Sequence, residues 1–160
     1  MTVQIIRKRA IVEDDFIHVA DGADLPDGKP IVTLGRYVSA REELLARYAS
    51  LGVRVASDKL PGDIPDVTKL ALIAIEFPRF TDGRGYSIAR QLRDRYRFTG
   101  ELRAVGWVLR DQLFYMERCG FDAFELKPGK PLDSALEAFG EFSVTYQAAT
   151  DDKRPIYRRR

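Results

Sequence analysis

Apolar positions recur along the chain at two spacings, and their alternation outlines the elements. Leu70–Phe77 is a continuous apolar run with one charge, Glu76, near its end. Such a run marks a strand covered on both faces. Pro78 stops it, and Thr81-Asp82-Gly83-Arg84-Gly85 turns the chain into a helix. There Ile88, Ala89, Leu92 and Tyr96 recur at helical spacing, while Arg90, Arg93, Asp94, Arg95 and Arg97 fall mostly outside. After Thr99-Gly100 come a strand at Leu102–Val105, a helix with Leu109, Leu113, Met116 and Gly120 inward, and a strand at Ala123–Leu126. Pro131 opens a last helix, with Leu132, Ala135, Leu136 and Phe139 inward. Upstream, Ile31–Leu34 and Val53–Ala56 read as strands on either side of a helix. Ser39-Ala40-Arg41-Glu42 has the form of its capping box, and Leu44, Leu45, Tyr48 and Leu51 share one face. Gly52 stands where that helix can end in a left-handed residue.

This alternation predicts a single α/β domain over residues 31–146, with about five parallel strands and interleaved helices. A flavodoxin- or receiver-like doubly wound sheet leads, and a half-barrel of βα units has nearly the same pattern. Residues 1–30 read as a peripheral N-terminal hairpin, or two edge strands, and a loop. Val3–Ile6 and Phe16–Ala20 flank the acidic Glu13-Asp14-Asp15, and Asp21–Pro30 is rich in Gly, Pro and Asp. Residues 57–69 carry two prolines and a short helix around Asp66–Lys69. Residues 147–160 are a basic C-terminal tail.

Composition narrows the function classes. A chain of 160 residues that is 45% hydrophobic can bury one sizeable core. No apolar run approaches the roughly 18 residues of a membrane span, and the start lacks a signal-peptide core, so a cytoplasmic protein away from membranes is expected. The one cysteine, Cys119, forms no internal disulfide and no thiolate metal cluster. The one histidine, His18, leaves little material for a metal site or a nucleophile couple. Lys153, Arg154, Arg158, Arg159 and Arg160 carry five positive charges, so against an overall +2 the rest of the chain carries −3. The basic character belongs to the tail, and no nucleic-acid partner is expected.

Candidate chemistry gathers in the turns. Gly83-Arg84-Gly85-Tyr86-Ser87-Ile88 resembles the start of a dinucleotide fingerprint, but Ile88 stands at the third glycine and Trp107 where an acid would end the next strand. The alternative is a turn whose glycines permit positive φ and a tight helix entry. In either case the turn brings backbone N–H groups and a helix N-terminus beside Arg79 and Arg84, with Arg110 on the same rim, as a small oxyanion site requires. Ordinary pairing of these arginines with Glu76, Asp82 or Asp111 competes with that reading. Gly120-Phe121-Asp122-Ala123-Phe124 with Lys127-Pro128 resembles response-regulator receivers. Leu34-Gly35-Arg36 and Glu76-Phe77-Pro78 replace the receiver acids, so a metal-dependent phosphotransfer has no ligands. Cys119, late in a helix, reads as structural, and His18 as a strand residue. The expected anion- or partner-binding rim is Arg79, Asp82, Gly83, Arg84, Gly85, Trp107, Arg110 and Asp111.

The run FPRFTDGRGYSIARQLRDRYRFTGELRAVG, followed by VLRDQLFYMERCGFDAFEL, closely resembles the bacterial DUF934 family across Phe77–Leu126. The likeness is weaker but consistent over the preceding strand–helix–strand. In that family an aspartate commonly follows the Ala-Val-Gly of the fourth strand, where this chain has Trp107, so any role of that acid does not carry over. The resemblance implies a cytoplasmic accessory role in assimilatory sulfite reduction, beside the genes for the sulfite reductase haemoprotein. Docking to the reductase, or help in its electron supply, is the expected role. Some members carry the label "oxidoreductase", yet no catalytic couple and no flavin, iron–sulfur or haem ligand set is evident, so no cofactor is expected.

Overall fold

A computed structural model describes residues 3–79, 83–127 and 131–140 of the chain. The eight strands are β1 (Gln4–Arg7), β2 (Ala10–Glu13), β3 (Phe16–His18), β4 (Lys29–Thr33), β5 (Gly52–Ala56), β6 (Leu72–Phe77), β7 (Glu101–Gly106) and β8 (Ala123–Phe124). They form one sheet in the order β2-β1-β8-β7-β6-β5-β4-β3. β3 to β8 are parallel neighbours in chain order, and the β1–β2 hairpin adds antiparallel to β8. The helices are α1 (Leu34–Ser39), α2 (Arg41–Arg47), α3 (Arg84–Asp94), α4 (Leu113–Cys119) and α5 (Leu132–Leu136).

Chain-ordered parallel strands decide between the two expected folds. A doubly wound sheet reverses its order at a switch point and carries helices on both faces. Here the order never reverses, so right-handed crossovers leave the helices on one face, and the domain is a half-barrel of βα units. The short link from β2 to β3 supplies the curl. A flat sheet of this order would hold its edge strands about 33 Å apart. The three peptide links from Glu13 to Phe16 span at most about 11 Å. Contacts across the interior agree: His18 on β3 meets Glu125 just past β8 at 2.8 Å. The N-terminal hairpin is therefore integral rather than peripheral, and Ile5 and Ile6 are fully buried within the sheet.

The helix-bearing face holds the main core. Val32, Val53, Val55, Ile73, Ile75, Phe77, Leu102, Ala104 and Phe124 pack beneath Leu44, Ile88, Ala89, Leu92, Leu113 and Met116. Alternation sends the other side chains to the concave face, where Ile31, Leu72, Ala74 and Val105 form a smaller cluster under Phe16.

Three local expectations are corrected. Ser39 is the last residue of α1 and caps nothing; the side-chain cap is Thr33, whose Oγ1 accepts from the Arg36 amide. Gly52 is the first residue of β5 and not a left-handed helix end. It is small because a Cβ there would lie 3.0 Å from Ile31 and 3.1 Å from Leu72 on the concave face. Arg93 turns inward to donate to the carbonyls of Phe98, Gly100 and Gly120, joining the turn after α3 to the end of α4.

Candidate functional site

In a parallel barrel the loops after the strands share one end, where ligands and partners are met. The register sets that end out: Ala56, Glu76 and Val105 lie side by side on β5, β6 and β7, with Phe77 opposite Gly106. The described rim residues follow these strand ends; Arg84 lines one cleft, Arg110 and Asp111 line another, and Arg79, Gly83, Gly85 and Trp107 line neither.

The first cleft, of about 350 Å³, is lined by Ala56, Ser57, Asp58, Glu76, Pro78 and Arg84. Arg84 opens α3 and its Nη2 donates to Oγ of the buried Ser57 at 3.3 Å. Glu76 faces Arg54 at 3.7 Å, so it pairs across the concave face and not with the turn arginines. Arg79 is exposed at the end of β6. Asp82 lies outside the described residues, as does the tail 147–160. Gly83 and Gly85 do not serve the turn through positive φ, since neither has it. Gly85 is fixed by packing, because a Cβ would lie 2.6 Å from the Phe77 ring. The glycine lets α3 lie against β6.

The second cleft, of about 320 Å³, is lined by Leu109, Arg110, Asp111, Leu126, Pro131, Ser134 and Ala135. Arg110 Nε donates to the Ser134 carbonyl at 3.0 Å and its Nη1 lies 3.8 Å from Asp111. This arginine therefore ties the start of α4 to α5. No residue lines both clefts.

Trp107 emerges between them, at the end of β7. Gly106 has φ 86°, and a Cβ there would sit 2.6 Å from the Phe77 carbonyl oxygen, to which the Trp107 amide donates at 2.7 Å. The indole is 37% exposed, and Lys127 Nζ sits 3.2 Å from a ring centroid. An ammonium over an indole face is a favourable contact that also fixes the ring.

Behind the rim lies a charged interior that sequence reasoning missed. Arg103 on β7 is wholly buried. Its Nη1 and Nη2 donate to Asp14 at 2.8 and 3.0 Å, and Glu101 and Glu125 lie at 2.7 and 3.7 Å. Burial opposes the charge of this guanidinium, but the surrounding carboxylates outweigh it and raise its pKa. His18, read as a strand residue, does end β3 and also holds Glu125. One signal was available: Glu101 and Arg103 are two apart in an otherwise apolar strand, so both point to the face opposite Leu102 and Ala104.

Elsewhere Tyr86 packs on Phe77 and Tyr115 at 5.3 and 5.1 Å between ring centroids. Burial, with Cys119 and Tyr115 nearby, pushes the Tyr86 hydroxyl up to about 12. Cys119 is buried, as its structural reading required. Among the described residues no group of three or more His, Cys, Asp or Glu side chains could hold a metal. No helix among them is long and apolar enough to cross a membrane.

The family model described as a bacterial protein of unknown function (DUF934) matches residues 52–157. No curated protein and no solved structure matches the chain.

Proposed function

The chain belongs to the DUF934 family, and from that premise we propose that it is an accessory protein of assimilatory sulfite reduction, docking on the sulfite reductase haemoprotein or aiding its electron supply. Family likeness suggests the pathway, and one observation supports docking: the Trp107 indole, 37% exposed and braced by Lys127 between two clefts. Anchored aromatics flanked by arginine are the residues on which interfaces concentrate binding energy. Arg79 and Arg84 after β6 and Arg110 after β7 add positive charge to the same end of the sheet, and the basic tail adds a salt-sensitive attraction to an acidic partner surface. The role is that of a cytoplasmic partner without chemistry of its own.

The test is a pull-down with the assimilatory sulfite reductase of the same organism, at low and high salt. Capture at low salt that Trp107→Ala with Arg84→Ala abolishes, at unchanged melting temperature, is the expected result. No capture, together with normal growth of a deletion strain on sulfate, ends the proposal. Growth rescued by cysteine but not by sulfite places the block at sulfite reduction.

A second reading, a small oxyanion-binding enzyme or sensor using the 79–85 turn, draws on the Arg84–Ser57 contact in the first cleft. Asp58 and Glu76 line the same cleft and oppose an anion. Calorimetry with sulfite, sulfate and phosphate separates the two readings. Equal binding by an Arg84→Ala protein removes this turn as the site.

A further inference from the structure

Barrel interiors are ordinarily filled by branched apolar side chains. This one holds a buried arginine and is covered by residues 13–18, which bind it as a ligand would. Asp14 lies across the Arg103 fork through both oxygens. Asp15 is held by Lys29 at 2.6 Å and Arg7 at 3.3 Å. The Phe16 ring lies 5.7 Å from the Arg103 guanidinium and 5.6 Å from the Lys29 ammonium, on the floor of Ile31, Leu72, Ala74 and Val105. His18 closes on Glu125. β3 pairs with β4 through Phe16 with Lys29, Ile17 with Pro30 and His18 with Ile31, and the Val19 amide donates to the Ile31 carbonyl just past it. Extended peptides are held on sheet edges in this way, by strand addition plus side-chain pockets.

We propose that this concave groove is a recognition site for an extended segment carrying a carboxylate two positions before an aromatic ring. Residues 13–18 fill it in cis as a lid, and a partner segment of the same acidic–aromatic pattern enters by displacing them. Charge complementarity supports the choice of ligand. Without the lid, Arg7, Lys29 and Arg103 face Glu101 and Glu125, an excess of positive charge that an acidic segment neutralises. The lid is anchored at both ends. Glu13 pairs with Gln4 and the Asp14 amide donates to the Val3 carbonyl. Beyond the lid Arg36 donates to the Ala20 and Ala23 carbonyls and Thr33 to Asp21, so a partner segment displaces residues 15–18 and the Asp14 side chain between fixed ends. The ion pairs themselves contribute specificity more than net stability, because desolvation offsets their attraction. The inference is independent of docking through the Trp107 rim.

The probe is a fluorescent peptide of residues 11–19, Ile-Val-Glu-Asp-Asp-Phe-Ile-His-Val, offered to the full-length chain. In wild type the tethered lid competes at an effective concentration on the order of millimolar. An Asp14→Ala, Phe16→Ala chain, folded by circular dichroism, is therefore expected to bind the peptide at least about tenfold more tightly than wild type. That affinity should fall as salt rises past about 0.15 M, and a peptide with the same two substitutions should not bind. Hydrogen exchange on wild type gives an independent reading should the variant not fold. Amides of Phe16–Val19 should exchange at least about tenfold faster than those of Leu72–Phe77, and excess peptide should quicken them further. A folded variant that takes no peptide overturns the proposal, and so does exchange at Phe16–Val19 that matches Leu72–Phe77 and ignores the peptide.

Discussion

Gly85 and Gly106 show how a residue choice is fixed by its surroundings. Both yield their Cβ space to Phe77, Gly85 to the ring and Gly106 to the carbonyl oxygen. A Gly85→Ala chain must move α3 or the ring, at a cost of about 1–3 kcal/mol. Gly106→Ala adds left-handed strain to a backbone clash and should lose more. Thermal melts of the two variants check the order, and a Gly106→Ala chain as stable as wild type would contradict it. Asp122 offers a test by pH. Burial pushes its carboxyl above the usual range, against the Leu102 amide and Arg93, which favour the charge. The folded state therefore holds this proton more tightly than the unfolded state does. Stability contributed by the group falls as pH rises from the unfolded value near 3.8 through the higher folded value, and the penalty is complete above it. Asp122→Asn keeps an acceptor for Leu102 and removes that fall. Urea unfolding across the acid range should show a flatter profile, with neutral-pH stability equal or higher. An unchanged profile sinks the assignment.

At the scale of elements, β7 carries two unlike faces. Leu102 and Ala104 enter the helix-side core, whereas Glu101 and Arg103 enter the charged interior. Arg103→Met leaves Asp14, Glu101 and Glu125 without their shared cation, and removing one member of a buried ionic cluster typically costs about 3–5 kcal/mol. Adding Asp14→Leu should restore part of that loss, because an apolar pair needs no desolvation of charge. Chemical denaturation of the single and double variants measures it. A double variant that is less stable than Arg103→Met alone would show that Asp14 supports the lid by some route other than Arg103.

For the whole molecule, closure depends on the first eighteen residues. β2 and β3 are the two edges of the curled sheet, joined by a short link, and Ile5 and Ile6 on β1 are fully buried in it. A chain starting at residue 19 would expose the Ile31, Leu72, Ala74 and Val105 floor and leave the β8 and β4 edges open. Open apolar edges invite pairing between chains. The expected outcome is a concentration-dependent oligomer in size-exclusion chromatography, where the full chain elutes without such dependence. A monomeric, fully folded truncation would show that the half-barrel stands without its lid.

The βα alternation is legible in the chain alone, because apolar period is a local property that each element must satisfy to bury one face. The five parallel strands β4 to β8 and inner residues such as Leu44, Ile88, Ala89, Leu92, Leu113 and Met116 follow from it, whereas the family likeness rests on the long motif of Phe77–Leu126. Strand order, and with it the half-barrel, comes from the folded sheet. A βα unit looks the same whether the next strand is laid down on one side or the other. The short β2–β3 link constrained that order, but its meaning depends on which strands are edges. The same reason hid the interior: Asp14, His18, Arg103 and Glu125 lie far apart in the chain, and their meeting follows from curl and register. Parallel topology puts the described residues after β6 and β7 at one end of the barrel, while contacts with Ser57 and α5 draw Arg84 and Arg110 into separate clefts.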